Sequence, residues 1–251
     1  MADAACERWV AGVDGCRGGW LVVMRPLDDP SLARVSLKKH FADVLAMEPR
    51  AEIIAVDMPI GLPQRGGRRA DIEARANLGK RKSSVFAMPS REAVEEREYI
   101  RACQTAARTS DPSRRISKQA FNIFPKILEI DALMTPDMQE RVREVHPEVG
   151  FWALNGEKPL DLPKKMKVSP DQPGLAYRRG LLVAAGYDAA LLAGRGGFRA
   201  ADVGRDDLLD AAVCSWSAAR IVRGEGRRFP GEPVPLELGI DAKGLRMEIW
   251  C

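Results

Sequence analysis

Two apolar runs that each end in aspartate constrain this chain more than any other feature. Trp9, Val10, Ala11 and Val13 read as a strand buried on both faces, closed by Asp14 and the turn Gly15 to Gly19. The segment Ala51 to Asp57, AEIIAVD, repeats the pattern. A more polar run, Val142 to Glu148, ends in glutamate, and Asp206, Asp207 and Asp210 open an apolar helix. A lone Asp14 would read first as an Asx turn bonding the backbone that follows it. The repetition favours another reading. Parallel strands joined by right-handed crossovers put their carboxyl ends on one sheet edge, where open α/β sheets build their sites. The carboxylates are therefore expected to converge.

The glycine turn is short enough to require an antiparallel hairpin into a second strand, Trp20 to Arg25. A third strand, Ala33 to Leu37, and a helix from Phe41 to Met47 follow, so the run to Asp57 returns parallel. This β-β-β-α-β order is the opening of the ribonuclease H-like fold. From Gln64 to about Met134 no strand is expected. Ser90 is placed to cap a helix reaching about Ala107, and Pro125 to kink or restart another. The stretch from about residue 62 to about residue 140 is read as a helical insertion over the sheet's carboxyl edge, within a single domain spanning 1–251. Helices are expected over Tyr177 to Ala185 and Asp207 to Val222, and a last edge strand over Leu245 to Trp250.

A chain of 251 residues, 45% hydrophobic and 29% charged, is globular in composition and can bury a core without staples. The start MADAACERW lacks a secretion signal and no apolar run is long enough to span a bilayer, so a soluble cytoplasmic protein with no membrane partner is expected. The odd, scattered cysteines support neither a disulfide framework nor a zinc site, and His40 and His146 are the only histidines. Any metal here is expected to be oxygen-held, hence Mg²⁺ or Mn²⁺. The net charge of +4 is modest, but basic residues cluster at Arg65, Arg68 and Arg69, at Lys80 to Lys82, at Arg114, Arg115 and Lys118, and at Lys164, Lys165 and Lys167. Arg17, Arg65, Arg68, Lys80 and Arg81 are candidates for phosphate contacts, against the alternative of solvated surface positions. The expected partner is nucleic acid, with a second copy of the chain left open.

Asp206 reads as a first-turn capping residue, whereas Asp207 and Asp210 project from one side of the helix and can address one cation. Clustered carboxylates repel by roughly 4 kcal/mol per pair at an effective dielectric near 20. Divalent ions remove that cost, and two of them can hydrolyse a phosphodiester. The segments GVDGCRGGW, VDMPIGLP, LGKRKSSVFAMPSR, HPEVGFWALNG and DDLLDA, in that order, resemble domain of unknown function family 429, described as predicted nucleases. The resemblance implies a mixed five-stranded sheet of order 3-2-1-4-5 flanked by helices. It also implies a metal-dependent nuclease in which Asp14, Asp57 and Asp207 or Asp210 match the carboxylates of the ribonuclease H superfamily. Glu148 falls in the family's own HPE motif and His146 is a structural residue or a proton shuttle. Two other readings stand beside this one. Actin-like ATPases and sugar kinases share the fold and follow an aspartate with glycines, which allows a nucleotide-binding phosphotransferase; a noncatalytic nucleic-acid-binding module is the third.

Overall fold

A side-chain carbon on Gly12 would lie 2.0 Å from the Ser215 amide nitrogen and 2.1 Å from the Ala211 carbonyl oxygen. Only glycine lets a helix backbone approach a strand that closely. A computed structural model, which describes residues 7–164 and 172–251, shows the result: the long helix that carries Ala211 and Ser215 packs directly on the central strands. Gly12→Ala is accordingly expected to cost about 3 kcal/mol or more, because the obstacle is backbone that cannot rotate away. A thermal melt followed by circular dichroism checks this; an unchanged midpoint would mean that the helix is not seated on Gly12.

The strands are β1 (Trp9–Cys16), β2 (Gly19–Pro26), β3 (Arg34–Lys38), β4 (Ala51–Asp57), β5 (Val142–Glu144), β6 (Arg228–Phe229) and β7 (Ile249–Trp250). The helices are α1 (Phe41–Leu45), α2 (Arg69–Ala76), α3 (Arg91–Glu95), α4 (Tyr99–Thr109) and α5 (Lys118–Asn122). They continue with α6 (Phe124–Leu133), α7 (Pro147–Leu154), α8 (Pro173–Ala184), α9 (Arg205–Val222) and α10 (Leu236–Gly239). The main sheet is mixed, with order β3-β2-β1-β4-β5. Strand β1 is antiparallel to β2 and parallel to β4, and β2 is antiparallel to β3. This is the expected 3-2-1-4-5 topology.

Two compact units divide the chain: Met1–Asp57 with Leu162–Gly226, and Met58–Asp161 with Arg227–Cys251. In the first, Val10, Val13, Val22, Val23, Ile54 and Val56 are almost fully buried. β-Branched residues suit a pleated strand covered on both faces, and each such side chain contributes roughly 1.5–3 kcal/mol on burial. Trp20 meets Phe41 edge to face at 5.1 Å, fixing α1 against β2. The Tyr187 hydroxyl bonds the Ser215 hydroxyl at 2.6 Å and donates to the Ala212 carbonyl at 3.1 Å, tying the segment after α8 to α9.

The second unit has its own core, in which Ala70, Ala74 and Leu78 pack with Trp152, Phe229 and Ile249. Three expectations shift here for local reasons. Ser90 caps a helix through the Ala93 amide, but Glu96 takes an extended backbone and a second helix starts only at Tyr99. The strand expected to reach Glu148 stops at Glu144, because Pro147 lacks an amide donor and opens α7 with His146 as its cap. Of Leu245 to Trp250 only Ile249–Trp250 is strand, paired with Arg228–Phe229 in a separate two-stranded ribbon. The amides of Lys243 and Leu245 donate to the Asp241 carboxylate and hold the preceding stretch as a turn. Pro125 falls in the first turn of α6 and restarts the helix. No helix among the described residues is long and apolar enough to cross a membrane.

Candidate carboxylate site

The close approach at Gly12 also orients the aspartates. Side chains two apart on a strand share a face, so Asp14 projects toward α9 as Gly12 does. In the parallel register Gly12 faces Ala55 and Asp14 faces Asp57, which places the two carboxylates on adjacent strands about 4.8 Å apart in backbone. Asp210, on the same helix, acts on Asp14 through its charge. Asp14 and Asp210 are buried and Asp57 is half-buried.

The electrostatics follow. Burial pushes the Asp14 carboxyl well above the ordinary carboxylate range, and the charges of Asp57, Asp210 and Asp207 push it further, while Lys164 pulls it down. Burial, reinforced by Asp57, Asp14 and Asp210, likewise raises the Cys214 thiol well above its usual value, so this sulfur stays protonated beneath the carboxylates. The Lys164 ammonium donates to Asp210 Oδ2 at 2.6 Å, with both side chains largely buried. The carboxylates of Asp14, Asp57 and Asp210, from three separate elements, therefore act on one another through their charge, and the Lys164 ammonium sits on one of them.

Asp207 has a different role from the expected one. Its Oδ2 accepts from the Gly204 amide at 2.7 Å, so it caps α9, the task assigned from sequence to Asp206. It still acts on Asp14 through its charge, more weakly than Asp57 or Asp210.

Glu148 belongs to the second unit, in the first turn of α7 rather than at a strand end. It is buried, and Arg81 lies 3.7 Å away. His146 accepts from the Glu148 amide through Nδ1 and donates through Nε2 to the Ser84 carbonyl at 3.1 Å, the structural role rather than the shuttle.

Arg68 corrects the reading of the basic residues. It is 2% exposed and forked between Asp71 and Glu144, with Nη2 2.6 Å from each carboxylate, so no phosphate reaches it. Arg17, Arg65 and Lys80 are exposed; Arg17 donates to the Ala200 carbonyl at 2.7 Å and Lys80 lies 4.0 Å from Asp161. Lys165 and Lys167 lie outside the described residues. Sequence reasoning missed the pairing of Lys164 with Asp210, whose only signal was membership of a basic cluster. It also missed the Asp71–Arg68–Glu144 network, of which Asp71, three residues after Arg68, was the one local sign.

Fold and site together define a mixed α/β protein of ribonuclease H-like topology with Asp14 and Asp57 paired at the carboxyl ends of its central parallel strands. Over residues 12–234 the chain matches the family model described as Protein of unknown function (DUF429), and it belongs to that family. No curated protein and no solved structure matches it.

Proposed function

We propose that this protein is a divalent-metal-dependent hydrolase of phosphodiester bonds in DNA or RNA, working through Asp14, Asp57 and Asp210. The observation that carries the proposal is the buried Asp14 carboxyl raised by the charges of Asp57 and Asp210, an arrangement that is unfavourable unless a cation compensates it. The donor set fits a hard cation. It is all oxygen, and the Cys214 thiol is held protonated. Mg²⁺ or Mn²⁺ held by Asp14, Asp57 and Asp210 would supply Lewis-acid charge for water attack on phosphorus and for the departing oxygen. Asp207 and the start of α9 hold the helix end that presents Asp210, and Lys164 balances Asp210. Among the described residues no three His, Cys, Asp or Glu side chains stand in a metal-binding arrangement. Lys164 is the cation that occupies Asp210, so metal loading requires this ammonium to yield.

That same pair favours a second reading, a noncatalytic nucleic-acid-binding module in which Lys164 permanently replaces the metal. Lys164→Met separates the two. On the hydrolase reading the variant responds more strongly than the wild type to Mn²⁺ in a thermal melt, because a competing cation is gone. On the module reading neither protein responds. The activity itself is tested by incubation with Mn²⁺ and single-stranded, duplex, hybrid and branched substrates. Cleavage that is lost in Asp57→Asn supports the hydrolase, and cleavage that Asp57→Asn retains would reject this site.

A further inference from the structure

The second unit contains a cavity of about 240 Å³ that is separate in composition from the carboxylates. Arg75, on α2, and Arg114 and Arg115, between α4 and α5, line it beside Ser83. Among the described residues no carboxylate pairs with any of these three arginines, whereas Arg68, Arg69, Arg91 and Arg108 nearby in sequence all have acidic partners. Phe86, Met88 and Ile116 contribute apolar lining.

The walls are built rather than collapsed. The Gly66 amide donates to the Thr109 carbonyl at 3.0 Å and the Gly67 amide to the Met88 carbonyl at 2.7 Å, joining three segments of chain. Asp71, itself anchored by Arg68, accepts from the Met88 amide at 2.8 Å. The Tyr99 hydroxyl donates to the Ile116 carbonyl at 2.9 Å, and the Arg114 amide donates to the Ser110 hydroxyl at 2.9 Å. Gly67 has φ of +96°, a backbone conformation that keeps this junction open to glycine alone.

We infer that this cavity binds a phosphate monoester carried on a small ring, of mononucleotide size. Three uncompensated guanidinium groups match a phosphomonoester, which carries between about one and a half and two negative charges near neutral pH, better than a single carboxylate. The planar fork of arginine takes phosphate oxygens in pairs. Phe86 and Met88 supply the apolar surface on which a ring stacks. The volume falls below the roughly 300–1,000 Å³ of clefts for drug-sized ligands, which limits the occupant to about the size of one mononucleotide. The shared chemistry is available from a free mononucleotide or from the 5′-phosphorylated end of a strand. This inference stands apart from the metal-dependent hydrolysis proposed above.

Isothermal titration of the full chain with AMP, ribose 5-phosphate, adenosine and a 5′-phosphorylated trinucleotide, without divalent metal, tests it. AMP or the trinucleotide is expected to bind, adenosine is not, and the stronger of the two binders identifies the source. Arg114→Gln and Arg115→Gln, both at exposed positions, are expected to weaken binding about tenfold or more each with unchanged melting temperatures. Phe86→Ser should weaken AMP more than ribose 5-phosphate. Absence of binding by every phosphorylated probe at millimolar concentration overturns the assignment. So does adenosine binding as tightly as AMP, or AMP affinity indifferent to both arginine variants.

Discussion

Asp14→Asn is expected to raise the melting temperature of the metal-free protein and, on the hydrolase function proposed above, to abolish a response to Mn²⁺ and phosphodiester cleavage. The gain arises because the wild-type carboxyl is disfavoured by burial and then by Asp57, Asp210 and Asp207. An amide of the same shape removes one charge from that set. Each kcal/mol of relief corresponds to about 2–4 °C in a chain of this size, so a rise of several degrees is the expected scale. The sign of the pH dependence follows from the same shift. A carboxyl raised above its unfolded value of ~3.9 binds its proton more tightly in the folded state, so its contribution favours folding at low pH and is lost as pH rises through the folded value. The melting temperature of Asp14→Asn minus that of wild type should therefore widen from about pH 4 to about pH 7. A difference that stays flat across this range would remove the electrostatic account of the site. Persistence of a Mn²⁺ response in the variant would show that the metal binds elsewhere.

A large loss of stability is expected from Arg68→Met. The guanidinium is held between Asp71 and Glu144, and Nη1 adds a bond to the Ile60 carbonyl at 3.2 Å. Removing it leaves two buried carboxylates without their common counter-ion, which costs roughly 3–5 kcal/mol. The damage spreads to the backbone that those carboxylates hold, since Glu144 accepts from the Ile60 amide at 2.6 Å and Asp71 from the Met88 amide at 2.8 Å. Urea unfolding should show the loss, and native-state amide exchange should show Ile60 and Met88 exposed first. Arg65→Met, at an exposed position three residues earlier, is the control and should stay within about 0.5 kcal/mol of wild type. A loss under about 1 kcal/mol for Arg68→Met would mean that the network is solvated and that its burial is not what holds this turn.

How much of this was legible in the sequence depends on the range over which each signal acts. The β-β-β-α-β opening could be read because a run such as Val10 to Val13, the glycines at Gly15, Gly18 and Gly19, and the apolar stretch before Asp57 are local statements about strand and turn. The pairing of Asp14 with Asp57 followed from topology, since two strands joined by a helical crossover bring equivalent ends together. Asp206 and Asp207 were harder to assign. Neighbouring helix residues point about 100° apart, so the capping role turns on how α9 is rotated, and the structure gives it to Asp207. Arg68 and Arg65 look alike in a basic stretch, yet one is buried and one is exposed. The difference is Glu144, 76 residues away.

The sequence by itself determined the β-β-β-α-β opening and which aspartates end the central strands, because hydrophobic periodicity and backbone sterics act between neighbours. Tertiary structure alone decided that Lys164 sits on Asp210, that Arg68 is buried between two acids and that three other arginines line a cavity. A charge takes its partner from whatever packing brings within a few ångströms, and that choice is made between residues the chain keeps far apart.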